Sequence, residues 1–240
     1  VYPAEEAYVT DIPKLQVDAV IFDLDGTLID SIGIYFKIVD IVFERLSMPP
    51  VSKEAIVEAV KDGDFDWDCV LPDDVKDRKD EIISDAVEII YEIYPRMFGK
   101  DLKLVSGADR VLKTISCDGL KIGLVTSTPQ QGMVHKMQPL KKAGVDKLFE
   151  AIITTDDIQN KKPAAEPLVE CLKRLQVDAN RSVYVGDTRV DIKAGKSAGM
   201  ITIGVLTGFD DRTALEEEDP DAVIQSVKDL PDLISIQFLY

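Results

Sequence analysis

The sequence predicts an α/β fold, a parallel sheet flanked by helices and interrupted after its first strand by an all-helical insertion. Three observations carry this. Short apolar runs rich in β-branched residues recur at 17–22, 121–126, 151–155, 182–186 and 200–206, the pattern of strands buried on both faces. Segments with helical spacing separate the later runs, giving the alternation of parallel sheets. Between 32 and 105 the periodicity is helical throughout.

Taken in order, the run at 17–22 leads into an apolar stripe of Ile34, Ile38, Ile41, Val42 and Leu46, and then a second of Ile82, Ile83, Val87, Ile90 and Ile93. Breaks are predicted at Met48-Pro49-Pro50, at Asp62-Gly63 and at Tyr94-Pro95. Ser106 with Asp109 resembles a capping box that opens the next helix. Thr128 with Pro129 behind it suits an N-cap followed by a first-turn proline. Met133, Val134, Met137 and Leu140 then mark one helix, and Leu168, Val169, Leu172 and Leu175 the next. Residues 1–31 and 106–240 are therefore expected to form the α/β core, and 32–105 a helical cap. Such a cap would roof the strand ends, where open α/β sheets bind ligands.

At 240 residues the chain suits one large domain or a domain with an insertion, and 45% hydrophobic residues supply a sizeable core. No apolar run reaches the ~18 residues of a membrane span, and the first residues lack an export pattern. The balance of 28 Lys and Arg against 44 Asp and Glu, a formal charge of −16, disfavours binding to a nucleic-acid backbone. Cys69, Cys117 and Cys171 are odd in number and share no C-x-x-C spacing, which fits a reducing, cytoplasmic setting.

Chemistry is concentrated where the strands end. In Phe22-Asp23-Leu24-Asp25-Gly26-Thr27-Leu28-Ile29-Asp30-Ser31, residues two apart on extended chain share a face, so Asp23 and Asp25 project together. An isolated D-x-D-G also describes turn acids leaving a strand. Thr126, ending the run at 121–126, offers a hydroxyl beside a helix start, although a threonine there, read alone, is more often an ordinary strand residue. Lys162-Pro163 alone carries no message. In Val185-Gly186-Asp187-Thr188-Arg189-Val190-Asp191, the pair Thr188 and Asp191 also fits a plain capping pattern, which leaves Asp187 unexplained.

Taken together, the string DLDGTLIDS resembles the first signature of the haloacid dehalogenase-like hydrolase superfamily in its phosphatase branch, agreeing at Asp23, Asp25, Gly26, Thr27, Leu28 and Asp30. Thr126-Ser127, Lys162-Pro163 and the segment from Asp187 to Asp191 match the later signatures in order. The resemblance implies a Rossmann-like core, a helical first-type cap and Mg²⁺-dependent hydrolysis of a small phosphorylated metabolite. It makes Asp23 the nucleophile, carrying an aspartyl-phosphate, and Asp25 the general acid and base. Thr126, Ser127 and Lys162 would bind the phosphoryl group. Asp23, Asp187 and the main-chain carbonyl of Asp25 would ligate the metal, with Asp191 supporting them from behind. Phosphoglycolate phosphatase-like is the nearest general description.

The alternatives are a β-phosphoglucomutase-like phosphomutase, or a non-catalytic relative that binds without turnover. Such mutases use a cap histidine, whereas His135 lies outside residues 32–105 and reads as a surface or packing residue. A receiver domain also uses a phosphoaspartate with Thr and Lys, but the insertion and the length disfavour it. Asp62, Asp64, Asp66, Asp68 and Asp73 imitate a calcium-loop spacing, with Trp67 where that loop needs glycine. This acidic loop reads as solvated, with Trp67 or a neighbouring Asp a candidate contact to the leaving group, of a kind suiting a neutral polyol or a cationic group.

Overall fold

The computed structural model describes residues 15–60, 65–99 and 102–235. Its strands are β1 (Leu15–Gln16), β2 (Ala19–Phe22), β3 (Ile29–Asp30), β4 (Lys103–Leu104), β5 (Lys121–Val125), β6 (Ala151–Ile153), β7 (Ser182–Gly186), β8 (Ile201–Val205), β9 (Ala222–Ile224) and β10 (Ile234–Ser235). Six of them form one sheet in the order β6-β5-β2-β7-β8-β9, every neighbouring pair parallel. Central β2 is buried at all four positions, as continuous apolar sequence requires of a strand covered on both faces. The register sets Phe22 opposite both Leu124 and Val185, so the segments leaving β2, β5 and β7 start level. That edge of the sheet is the C-terminal one, where open parallel sheets place their ligand sites.

The expected strands are all in the sheet, with ends trimmed by a residue or two. Strand β9 was not anticipated, because its three apolar residues are half-buried and follow an acidic stretch, too short for a strand pattern. Around the sheet pack α4 (Ala108–Cys117), α5 (Gln130–Lys136), α6 (Gln138–Lys142), α7 (Glu166–Leu175), α8 (Arg189–Ser197) and α9 (Arg212–Glu216). Three apolar positions assigned to inward stripes turn outward instead, Val87 at 39%, Val134 at 60% and Val169 at 51% exposure. Ser106 and Asp109 make no capping box, since Gly107 takes the N-cap of α4 at φ 86°, in the left-handed region glycine tolerates.

The insertion holds α1 (Ile32–Arg45), α2 (Lys53–Ala59), short 3₁₀ turns at Trp67–Cys69 and Asp73–Arg78, and α3 (Lys79–Met97). Ile34, Ile38, Val42 and Phe43 of α1 are buried along with Ile82, Ala86 and Ile93 of α3, and Arg45 pairs with Glu92 across the two helices at 2.6 Å. The break at 48–50 is present, and that at Asp62-Gly63 lies outside the described residues. Helix α3 runs through Tyr94-Pro95 instead of stopping there. Pro95 falls in the last turn, where its missing N–H costs one bond, and Phe98 N still donates to Tyr94 O at 3.0 Å. Nor is the stretch wholly helical. Lys103–Leu104 pairs antiparallel with Ile29–Asp30, clamping the two chain crossings of the insertion together.

Candidate active site

Asp23 leaves β2 with its N–H bonded to Val185 O at 2.8 Å, fixing the first carboxylate over the sheet edge. The chain then turns tightly, with Gly26 N bonded to Ile29 O and Gly26 at φ 73°. Asp23 and Asp25 line one cavity, while Leu24 between them is fully buried on the opposite side. The i and i+2 geometry read from the sequence is thus realised.

From β5 come Thr126, Ser127 and Thr128. Thr126 is buried, and its Oγ1 accepts Thr128 N at 3.1 Å, while exposed Ser127 lines the cavity. Thr128 does not cap α5, whose N-cap is Pro129. Its hydroxyl instead donates to Asp25 Oδ2 at 3.2 Å and accepts from Lys136 Nζ at 2.8 Å. Lys136, 2% exposed, reaches the site from the last turn of α5, 2.6 Å from Asp25 Oδ2, and donates also to the hydroxyl of Tyr35 on α1. The other oxygen, Asp25 Oδ1, is buried with no hydrogen-bond partner among the described residues.

Lys162, and not exposed Lys161, enters the site. Its Nζ lies 2.7 Å from Asp23 Oδ1, 2.6 Å from Asp191 Oδ1 and 3.1 Å from the Tyr184 hydroxyl. The Asp191 oxygens are fully engaged. Besides Lys162, Tyr184 donates to Oδ1 at 2.8 Å, and Thr188 donates to Oδ2 through its N–H at 3.1 Å and its hydroxyl at 2.6 Å. The capping box and the site are therefore one structure, because Asp191, the third residue of α8 and the partner of Thr188 in the box, also anchors Lys162.

Asp187 is 1% exposed and accepts from Thr27 Oγ1 at 3.2 Å and Phe209 N at 3.0 Å. Its carboxylate lies against the backbones of Gly26 and Gly208, where an added Cβ would sit 2.5 and 1.7 Å from Asp187 Oδ2. One oxygen each from Asp23, Asp187 and Asp191 fall within 4.8 Å of one another. Burial pushes the Asp23 carboxyl up to about 7, with Lys162 opposing and the charges of Asp191 and Asp25 adding. Burial, then Asp23 and Asp191, drives Asp187 well above the carboxylate range. Burial opposes ionisation of Asp191 too, but Lys162, Thr188 and Tyr184 outweigh it and hold that group low.

Three buried carboxylates against one ammonium leave negative charge that an oxygen-seeking divalent cation would offset, so the donor set fits a hard metal ion. Of the three, Asp191 has its lone pairs spent on protein donors. Asp23 and Asp187 are the carboxylates able to take an ion. In the acidic loop Asp66 accepts Asp68 N at 2.9 Å and Asp68 pairs with Lys79 at 2.6 Å, while Asp62 and Asp64 lie outside the described residues. His135 stacks edge-on with Tyr94, its ring centre 6.2 Å away.

Sequence reasoning missed Lys136, Tyr35, Tyr184 and the segment 207–210. Thr207 Oγ1 bonds Gly26 O at 2.6 Å, Phe209 faces the cavity, and Asp210 pairs with Arg189 at 3.0 Å, tying the segment after β8 to the start of α8. Only Lys136 left a trace. On α5 it stands among Met133, Met137 and Leu140, all buried, where a surface lysine does not belong.

Known proteins resemble this chain in sequence and in fold. Residues 20–205 match the haloacid dehalogenase-like hydrolase family model. The chain is 30% identical over 233 residues to phosphoglycolate phosphatase of Escherichia coli K12, covering 90% of this chain and 91% of that protein. It is 31% identical over 236 residues to the Salmonella choleraesuis phosphoglycolate phosphatase, covering 90% and 92%. The fold is shared with a predicted phosphoglycolate phosphatase from Haemophilus somnus, at TM-score 0.75, 20% identity and coverage of 90% and 97%. It is shared also with CbbY from Rhodobacter sphaeroides, at TM-score 0.68, 18% identity and coverage of 89% and 96%. The two curated relatives named above are phosphoglycolate phosphatases, and the chain belongs to the haloacid dehalogenase-like hydrolase family.

Proposed function

We propose that this protein is a Mg²⁺-dependent phosphomonoester hydrolase of a small phosphorylated metabolite, working through an aspartyl-phosphate on Asp23. The observation that carries the reading is the pairing of two differently held aspartates in one cavity. Asp23 is fixed by Lys162 at 2.7 Å, whereas Asp25 is gripped through Oδ2 and its Oδ1 meets no partner among the described residues.

In this reading Asp23 attacks phosphorus, the P–O bond to the alcohol breaks, and Asp25 Oδ1 gives its proton to the departing oxygen. Asp25 then takes a proton from water as that water attacks the aspartyl-phosphate, releasing inorganic phosphate. Thr126, Ser127 and Lys162 hold the phosphoryl oxygens. Asp23, Asp187 and the Asp25 main-chain carbonyl would hold Mg²⁺, which when bound would supply positive charge against the phosphoryl group and the attacking carboxylate. Residues 32–105 serve as the cap over a core of 1–31 and 106–240, shielding the reaction from water.

The test is release of inorganic phosphate from an aryl phosphate, with Mg²⁺ and with chelator, for the native chain and Asp23→Asn. Metal-dependent turnover that Asp23→Asn abolishes supports the reading; turnover indifferent to both overturns it. Hexose phosphates in the same panel expose a phosphomutase.

A further inference from the structure

The cavity that holds Asp23 and Asp25, about 270 Å³, is walled on the insertion side by Tyr35, Val60 and Phe65, and closed by Phe209. The same four side chains wall an adjoining cavity of about 330 Å³ that continues between α1, α2 and α3 to Val39, Trp67 and Ile90. Its aromatic walls brace one another: Phe65 meets Trp67 edge-on with ring centres 4.9 Å apart, and Tyr35 meets Phe209 at 5.8 Å. Val87, 39% exposed, marks where this cavity reaches solvent.

None of the described residues lining the second cavity is charged. Its polar side-chain atoms are the Tyr35 and Tyr94 hydroxyls and the Trp67 indole N–H, and the Tyr35 hydroxyl already accepts from Lys136. Three described cations around the first cavity are paired with carboxylates, Lys136 to Asp25 at 2.6 Å, Lys162 to Asp23 and Asp191 at 2.7 and 2.6 Å, and Arg189 to Asp210 at 3.0 Å. Phosphoglycolate releases a hydroxy acid. Its carboxylate would have to shed water against aromatic and aliphatic walls where no described residue lining the second cavity offers an ammonium, which is costly. A hydrocarbon group gains there what the carboxylate loses.

We propose that the substrate is the phosphate monoester of an apolar alcohol, an alkyl or aryl group of several carbons, seated in the cavity between α1, α2 and α3. The inference deepens the phosphatase reading and rests on it. The acidic loop thus contributes an aromatic wall through Phe65 and Trp67, where its composition alone suggested a polyol or a cationic group.

The experiment compares kcat/KM for ethyl, butyl and hexyl phosphate and for phosphoglycolate, using the full chain with Mg²⁺. Burial of each added methylene is worth about fourfold, so the expected result is a rise of at least tenfold from ethyl to hexyl, with phosphoglycolate below the hexyl ester. Trp67→Ala should flatten that rise, and Trp67→Phe should restore it. A flat series, or phosphoglycolate as the best substrate, overturns the inference while leaving the phosphatase reading standing. If no ester is turned over, the phosphatase reading fails, and binding still decides the cavity: hexylphosphonate should bind at least tenfold more tightly than phosphonoacetate by calorimetry. The reverse order overturns it.

Discussion

Lys136 Nζ stands 2.6 Å from Asp25 Oδ2 across 111 residues of sequence, joining the end of α5 to the turn after β2. The ammonium is nine-tenths buried or more and touches Tyr35 of the insertion as well as Thr128 of the core. Two donors on one oxygen fix the carboxylate plane, and that leaves Oδ1 as the oxygen able to exchange a proton. Proton transfer by a positioned side chain is worth about 10²–10⁴ in rate.

Lys136→Met is therefore expected to slow single-turnover release of an alkyl alcohol by about 10²-fold, with a smaller loss for a nitrophenyl ester, whose leaving group needs no proton. Lys136→Arg should recover part of the loss. Equal losses on both esters would assign Lys136 a packing role only.

Asp187 and Asp191 are predicted to behave oppositely, although both are buried acids beside Asp23. Asp191→Asn breaks the pair at 2.6 Å with Lys162 and should cost about 3 kcal/mol in urea unfolding. Asp187→Asn removes a carboxylate crowded by Asp23 and Asp191, so it should leave metal-free stability equal or higher while abolishing Mg²⁺ binding in calorimetry. A loss of Mg²⁺ binding confined to Asp191→Asn would reverse the ligand assignment.

Gly208 tests the same carboxylate from its other side. A methyl group there would stand 1.7 Å from Asp187 Oδ2, so Gly208→Ala must displace the acid or the backbone. The expected outcome is at least a tenfold weaker Mg²⁺ requirement curve and about 1–3 kcal/mol less stability. Unchanged values for both would show that Asp187 is not held where its hydrogen bonds put it.

Much of this site was legible because its parts are local. Asp23 with Asp25 needs only strand alternation, and Thr188 with Asp191 only a helix start. What the sequence could not convey is partnership across the chain. Nothing near Lys136 announces Asp25, nothing near Tyr184 announces Lys162, and Phe209 follows a strand whose approach to Gly26 depends on sheet order. Thr128 was legible as a polar residue at a helix start and misassigned to capping, since its hydroxyl is drawn to Asp25 instead. The helical insertion was clear from its stripes, but β3 and β4 are two residues each, below any periodicity.

The thiols offer an independent check on the packing. Cys171 is buried, and its burial pushes the thiol up to about 12, whereas Cys69 and Cys117 are exposed. A thiol reagent at neutral pH should modify two cysteines in the native protein and three in denaturant, as the thiolate is the reactive form. Fast modification of all three would mean that α7 does not pack on β5 and β6 as described.

The central claim is that Asp23 carries the phosphoryl group, and acid quench of the protein during turnover of an aryl phosphate, followed by peptide mass mapping, reads it directly. The account predicts one phosphoryl group on the peptide containing Asp23, appearing only with Mg²⁺ and absent in Asp23→Asn. A phosphoryl group on another residue, or steady turnover with none on the protein, would contradict it.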